Sequence, residues 1–175
     1  MASKARQLAQ SASAPEGRKN IIINGAMQAA QRATSATGIN SSGYYTVDRV
    51  DIAMSTTSGE FTQSQVTDAP DGFGHALKFD CTTADTSVAA GETTIVMWQL
   101  EGQDVQQMAK GTSSAKEVTV SFYAKANASK TYVCELKDFT NTRTVSKTFT
   151  VGTSYTRHEI TFPADTTGAI TSNNA

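Results

Sequence analysis

From residue 20 onward the chain alternates short apolar runs with polar turns, and the spacing of the apolar residues favours strands over helices. The runs are rich in Val, Ile, Thr, Tyr and Phe, and clusters of Gly, Asp, Asn and Ser separate them. The pattern predicts strands at 21–24, 45–53, 60–66, 75–79, 93–99, 117–125, 130–138, 144–151 and 156–162. Short strands separated by turns predict an all-β fold, either an antiparallel β-sandwich or a jelly roll.

The segment 118–124 shows the alternation most clearly. Val118, Val120, Phe122 and Ala124 share one face, and the polar residues between them take the other. We therefore expect one face of this strand to lie in the core and the other to meet solvent or a partner.

The segment 101–108 breaks the strand pattern. Val105 and Met108 stand three positions apart there, which is the spacing of a helix and not of a strand. Because it follows one predicted strand and precedes another, the segment predicts a short crossover helix between the two sheets of a jelly roll.

Residues 1–19 differ from the rest of the chain. Helix formers fill 2–10, with Ser3 as a candidate cap and Leu8 on an apolar face, before the sequence SASAPEG ends the pattern. The segment predicts an N-terminal arm or short helix, whose order requires a partner that covers Leu8. We therefore divide the chain into an arm at 1–19 and a β-sandwich domain at 20–175.

Charge and hydropathy exclude some classes of partner. The chain of 175 residues has 15 Lys and Arg against 16 Asp and Glu, which gives a formal net charge of −1. This balance predicts no nucleic-acid partner and no anionic-membrane partner. The N-terminus lacks the apolar run of a secretory signal, and no stretch approaches the roughly 18 apolar residues of a spanning helix. We expect no membrane insertion.

The two cysteines, Cys81 and Cys134, lie in segments with alternating apolar residues. This position predicts buried thiols on strands. A disulfide between them is the minor alternative, because a cytosol keeps thiols reduced, and their spacing matches no metal motif.

Two motifs near the start carry the strongest functional signal, since 20–32 reads NIIINGAMQAAQR and 44–50 reads YYTVDRV. Together they resemble the opening of a β-sandwich domain in phage and prophage tail-fibre proteins, where an N-x-x-x-N-G strand leads to Q-R and then to Y-T-x-D-R-W. The resemblance continues through 99–102, which reads QLEG, and 118–125, which reads VTVSFYAK.

The sequence departs from the family pattern at two aromatic positions. Val50 stands where the family has Trp, and Ala30 stands where it has an aromatic residue before Q-R. Both changes reduce the aromatic surface that could stack on sugars. The family domain also continues with further strands after its F-P segment, here 162–163. Completion of the sandwich by another subunit and completion by a distal portion of the chain both stay open.

The resemblance implies a fold like that of carbohydrate-binding modules and a role as a virion structural protein, assembled in the host cytoplasm. The chain would be a tail-fibre subunit in a homotrimer that contributes to host attachment. Its N-terminal S-K-A-R-x-L segment would dock to a phage tail adaptor, a nozzle or another virion protein through Lys4, Arg6 and Leu8. A capsid (head) fibre, a glycan-binding module for host surface polysaccharide and a depolymerase subunit remain as alternatives.

The two motifs also supply candidate contacts with a neighbouring subunit or a ligand, namely Gln31, Arg32, Tyr44, Tyr45, Asp48 and Arg49. Asp48 and Arg49 have a competing structural interpretation, in which they tie down an adjacent loop, and the sequence favours it. Tyr44 and Tyr45 follow a Ser-rich loop, which favours their exposure.

Two further positions have a structural interpretation. Trp98 is predicted to lie in the core. Asn24-Gly25 predicts a turn or bulge that needs a positive φ.

The sequence contains no recognisable catalytic motif. His75 and His158 are isolated, and no nucleophile elbow, phosphate-binding glycine loop or zinc motif is present. We therefore predict a protein that is not an enzyme and that needs no cofactor. Asp68, Asp71 and Asp80 could supply oxygen ligands to calcium, but acidic turns are common without metal, so we predict no metal site.

Overall fold

A computed structural model describes residues 20–170 of the chain. The predicted arm at 1–19, with Lys4, Arg6 and Leu8, lies outside the described residues. The described part is all-β, with the strands β1 Ser35–Ile39, β2 Asp51–Ser55, β3 Glu60–Val66, β4 Ala76–Thr83, β5 Thr93–Met97, β6 Val118–Ala124, β7 Lys130–Asp138, β8 Arg143–Val151 and β9 Thr156–Phe162.

Every strand pairing in the described part is antiparallel. One sheet has three strands in the order β1-β3-β4, and the other sheets are the pairs β2–β5, β6–β9 and β7–β8. The pairs β2–β5 and β6–β9 join strands that are distant in sequence, as in a sandwich with crossovers. These packed antiparallel sheets are consistent with the predicted β-sandwich.

The predicted strands at 60–66, 130–138 and 156–162 have the observed boundaries. Strands at 75–79, 93–99, 117–125 and 144–151 are present with shifted ends. The alternation of β6 is confirmed, because exposed residues alternate with half-buried ones along its length.

The predicted strand at 21–24 is wrong. Asn24 has φ 58° and its carbonyl accepts a hydrogen bond from the Met27 N–H at 2.9 Å, so the chain turns there. Asn tolerates this left-handed conformation better than other non-glycine residues. The positive φ of the predicted turn thus falls on Asn24 and Met27, and β1 was not predicted at all.

The predicted strand at 45–53 is correct only in its last part. Residues 46–50 form a loop whose Thr46, Val47 and Val50 side chains are buried. The Val50 N–H donates to the Val47 carbonyl at 3.3 Å, which is a turn bond and not a sheet bond. Burial of a loop requires that its polar backbone groups be paired, so side chains must supply those bonds here.

The helical turn predicted at 101–108 is a 3-10 helix at Gln106–Met108. It follows Val105, which is buried and anchors the segment, and it ends at Ala109 in the left-handed region with φ 48°. The predicted crossover element is therefore present, but it is shorter than an α-helix.

The prediction that the side chains of the two cysteines and of Trp98 are buried is wrong for Cys81 and only partly correct for Cys134 and Trp98. Cys81 is exposed, because the last residues of β4 extend beyond the covered part of the sheet. Cys134 is half-buried, and burial raises the pKa of its thiol. Both thiols are free. Trp98 is half-buried instead of fully buried, and its buried Nε1–H has no hydrogen-bond partner among the described residues.

A charge network joins the segment after the 3-10 helix to the β7–β8 turn and to residues 165–168. Lys110 Nζ lies 2.7 Å from Asp138 Oδ2 and 3.4 Å from Asp165 Oδ2, and it donates to the Gly168 carbonyl at 2.7 Å. Arg143 binds Asp165 through two parallel hydrogen bonds of 2.9 Å. The Lys110 and Asp138 side chains are only 15% and 9% exposed, so solvent screens their attraction weakly.

The pKa values of the two carboxyl groups follow from these contacts. Burial alone would raise the pKa of Asp138, but hydrogen bonds from Lys110 and Asn141 outweigh it and hold that pKa below its usual value. The bidentate bond from Arg143 holds the pKa of Asp165 well below the usual range. Both groups are therefore ionised at neutral pH.

Replacing Lys110 with Met is expected to lower the free energy of unfolding by about 3 kcal/mol, because it leaves the buried Asp138 carboxylate without its cation. The matched control is Lys78→Met, since the Lys78–Asp80 pair is 57% and 48% exposed. That control should cost less than about 1 kcal/mol. Urea denaturation followed by circular dichroism measures both, and equal losses would contradict the assigned role of Lys110.

Candidate functional site

The candidate residues of the two N-terminal motifs lie together. Asn24 joins the motifs, because its Nδ2 donates to the carbonyls of Ala29 and Asp48, both at 2.9 Å. Its Oδ1 accepts from the Ala29 N–H at 3.0 Å. Asp48 Oδ1 in turn accepts from the Gln31 N–H at 3.1 Å. The segments 24–32 and 43–50 therefore form one hydrogen-bonded loop pair, which we call the motif loops.

Arg32 and Tyr44 form the exposed part of the motif loops. The Arg32 guanidinium carbon lies 5.3 Å from the centroid of the Tyr44 ring, which is a cation–π contact. Tyr44 is 41% exposed, whereas Tyr45 is half-buried and its hydroxyl donates to the Ser41 carbonyl at 2.8 Å. Tyr44 is thus available to a partner, and Tyr45 is tied to its own loop.

Asp48 and Arg49 have different surroundings. Asp48 binds the backbone of the neighbouring loop, which agrees with the structural interpretation of this residue. Arg49 is exposed with φ 70°, and it has no ion pair or side-chain hydrogen bond with any of residues 20–170. The two residues therefore do not form an ion pair with each other, and the Arg49 guanidinium faces solvent.

Two glutamines of β3 hold the motif loops against the sheet, and the sequence analysis missed both. Gln63 is fully buried, and its Oε1 accepts from the N–H and the hydroxyl of Thr46, at 3.0 and 2.7 Å. Gln65 Nε2 donates to the carbonyls of Met27 and Gln28, at 2.5 and 3.2 Å. The sequence did contain a signal for this role, because Gln63 and Gln65 stand two positions apart, and side chains at i and i+2 share one face of a strand.

The histidines and acidic residues of the described part do not form a catalytic constellation. His75 Nδ1 lies 3.2 Å from Gln28 Oε1, and His158 packs against the rings of both Phe122 and Phe149. Asp68 pairs with Lys125. Within residues 20–170 there is no group of three or more His, Cys, Asp or Glu that could hold a metal ion. In the part of the chain that the structure describes, no helix is long and apolar enough to cross a membrane.

Two clefts open on the surface. One has a volume of about 310 Å³ and is lined by residues that include Phe61, Cys81, Asp85 and Glu92. Hydrogen bonds from the backbone N–H groups of Ser87 and Ser58 lower the pKa of Asp85 to about 2. The other cleft has a volume of about 330 Å³ and contains Tyr123 and Tyr155.

Strands β7 and β8 form a two-stranded ribbon with an exposed outer face. In the described part of the chain each strand has only the other as its hydrogen-bonded neighbour. The inner face carries Phe149, which packs edge-on against Phe122 of β6 at 5.1 Å. The outer face pairs Val133 with Thr148, and Val133 is 61% exposed. Phe139, just beyond β7, is 68% exposed.

Comparisons of the chain with protein-family models, with curated proteins and with solved structures found no match.

Replacing Gln63 with Leu is expected to lower the free energy of unfolding by about 1 kcal/mol, because the buried N–H and hydroxyl of Thr46 lose their acceptor, while removal of Gln63 Nε2, which has no partner among the described residues, offsets part of that cost. Adding Thr46→Val removes the unpaired hydroxyl and should restore part of the loss. Thermal and urea unfolding of the single and double variants measure the coupling. Additive losses in the two variants would show that the Gln63–Thr46 bond does not stabilise the fold.

Proposed function

We propose that this protein is a structural subunit of a phage fibre, that its sandwich forms the proximal part of a homotrimeric tail fibre, and that residues 1–19 attach it to the particle. The observation that carries the proposal is the exposed outer face of the β7–β8 ribbon, taken with the motifs at 20–32 and 44–50. In this role the protein is not an enzyme, and it contributes to host attachment by building the fibre.

The ribbon suits self-association for three reasons. Among residues 20–170 no further strand pairs with its edges, and natural proteins normally cover or protect such edges. Its outer face is mostly Thr and Ser around the exposed Val133, and it carries Glu135 and Lys137, which are opposite charges two positions apart. A net charge of −1 opposes the approach of identical chains only weakly.

A second copy of the same chain is therefore the occupant that we assign to this face. A trimer uses a heterologous contact that closes into a ring, so Glu135 of one subunit can meet Lys137 of the next. Nothing in this arrangement requires Arg32, Tyr44 or Arg49, which leaves the motif loops free for a different partner of the virion.

Val133→Glu is expected to convert the trimer into monomers at micromolar concentration, because it places a second carboxylate beside Glu135 within the contact. The matched control is Val88→Glu, since Val88 is 71% exposed and lies between β4 and β5, away from the ribbon. Sedimentation velocity measures the mass of each variant. A monomeric wild-type chain, or a trimer that tolerates Val133→Glu, would contradict the proposal.

Removing residues 1–19 is expected to leave a folded trimer that no longer joins particles. Virions propagated with the truncated gene are purified and probed with an antibody raised against residues 20–175, by immunoblot and by electron microscopy. In wild-type virions, label at the tail supports the tail fibre, and label on the head assigns the same module to a capsid fibre. Normal incorporation of the truncated chain refutes anchoring by this segment.

A further inference from the structure

A surface cleft of about 310 Å³ opens where β3 and β4 meet the loop between β4 and β5. Phe61 of β3 and Cys81 of β4 line part of it, and the β4–β5 loop contributes Asp85, Val88 and Glu92. The motif loops contribute no residue to its lining. We call this site the Glu92 cleft, and it is separate from the surfaces described so far.

The Glu92 cleft is negatively charged. Asp85 and Glu92 are the only charged residues among those of 20–170 that line it. The Asp85 carboxylate accepts hydrogen bonds from the N–H groups of Ser58 and Ser87, at 3.0 and 2.9 Å, and the bonds lower the pKa of Asp85 to about 2. Asp85 is therefore ionised at neutral pH, and the cleft attracts cations and repels anions.

The carboxylate of Glu92 has no partner within the described part of the chain. Glu92 is half-buried, and its Oε2 is shielded from solvent and accepts no hydrogen bond from residues 20–170. Its Oε1 is not shielded in this way, so a donor can reach the carboxylate from the cleft. None of the ion pairs among these residues includes Glu92. A partly desolvated carboxylate is unfavourable unless a donor or a cation compensates it.

The wall beside the carboxylates is apolar. The Phe61 ring stacks on Phe79, with ring centroids 4.7 Å apart and planes 10° from parallel, which fixes its orientation. Val88 is 71% exposed, so the core does not use its side chain. A ligand with a short apolar chain could cover both residues and remove apolar surface from water.

The chemistry of the cleft selects among ligands. Calcium takes about six to eight oxygen ligands, and within residues 20–170 no three His, Cys, Asp or Glu residues could hold a metal ion. A neutral ligand would leave the charge of Glu92 uncompensated, and a quaternary ammonium has no N–H to donate. A primary ammonium is a cation with three donors. We propose that the Glu92 cleft binds a primary alkylammonium ion, whose ammonium donates to Glu92 and whose alkyl chain contacts Phe61 and Val88.

The volume of the cleft limits the size of the ligand. About 310 Å³ lies at the lower end of the range of small-molecule sites, which is about 300–1,000 Å³. The cleft therefore suits a chain of a few carbons, which occurs both in free alkylamines and in the side chain of lysine. No residue of β7 or β8 lines it, so the inference goes beyond the proposed fibre role and survives if that proposal fails.

Titration of the isotope-labelled full chain with n-butylammonium, followed by amide NMR, tests the inference. Butylammonium is expected to bind saturably and methylammonium more weakly, because it lacks the chain that covers the apolar wall. Butyltrimethylammonium and butyrate are expected not to bind, since the first lacks an N–H and the second is an anion. Glu92→Gln should weaken butylammonium about tenfold, because a neutral amide cannot form the charge-assisted bond.

The matched control is Glu117→Gln, which changes the net charge by the same amount. Glu117 is exposed and does not line the cleft, so this variant should bind butylammonium as the wild type does. Val88→Ser should weaken binding by a smaller factor than Glu92→Gln. The amide spectra of all variants check that they remain folded.

Cys81 reports where the ligand binds, because its thiol lines the cleft. Saturating butylammonium is expected to slow the alkylation of Cys81 by iodoacetamide and to leave Cys134 on β7 unchanged, as measured by peptide mass spectrometry. Capped lysine and putrescine then compare a lysine side chain with a free amine as the source of the group. The inference is overturned if butylammonium does not bind, if butyltrimethylammonium binds equally, if Glu92→Gln has no more effect than Glu117→Gln, or if Cys81 gains no protection.

Discussion

The buried amide of Gln63 determines how the first half of the structure is assembled. Gln63 stands on β3, the central strand of the three-stranded sheet, and it is fully buried. By accepting two hydrogen bonds from Thr46, it allows the polar backbone of a loop to occupy a position that apolar side chains fill in most sandwiches. Val47 and Val50, which lie in the same loop as Thr46, also have buried side chains.

A second polar interaction, the Lys110 network, stabilises the second half of the structure. The buried apolar residues there are few, namely Val105, Val151, Ile160 and Phe162 in the described part. A small core leaves terminal segments weakly held. The network of Lys110 ties three segments together, and Gly111 permits their close approach, since a Cβ there would lie 2.2 Å from the Ala169 nitrogen. Hydrogen bonds and ion pairs thus add to the stabilisation from apolar burial in both halves. Removing one partner of either network is expected to lower the free energy of unfolding.

Period-two alternation predicted most of the strands because it reports local burial. Strand β6 alternates cleanly, and β3, β7 and β9 are bounded by turn residues at the observed ends. It failed at 45–50 because a long-range bond to Gln63 buries that loop, and no local pattern contains that information. It failed at 21–24 because the Asn24 side chain binds the backbone of Ala29 and Asp48 and stabilises a turn in an apolar run.

The candidate surfaces also differ in how far the sequence could predict them. The motifs at 20–32 and 44–50 supplied Gln31, Arg32, Tyr44 and Asp48 as candidates, and these residues lie near one another because the two loops bind each other directly. The cleft around Tyr123 could not be predicted, because Asp71, Tyr123 and Tyr155 meet only through the pairing of β6 with β9 and the fold of the β3–β4 loop.

The ribbon and the cleft impose different requirements on an assembled fibre. The β7–β8 ribbon has strand edges that no other strand pairs within residues 20–170, and a neighbouring chain can cover them, whereas the cleft around Tyr123 lies on the β6–β9 pair. Tyr123 and the outer ribbon residue Val133 stand on different sheets. A neighbouring chain that covers the ribbon can therefore leave the surface around Tyr123 exposed.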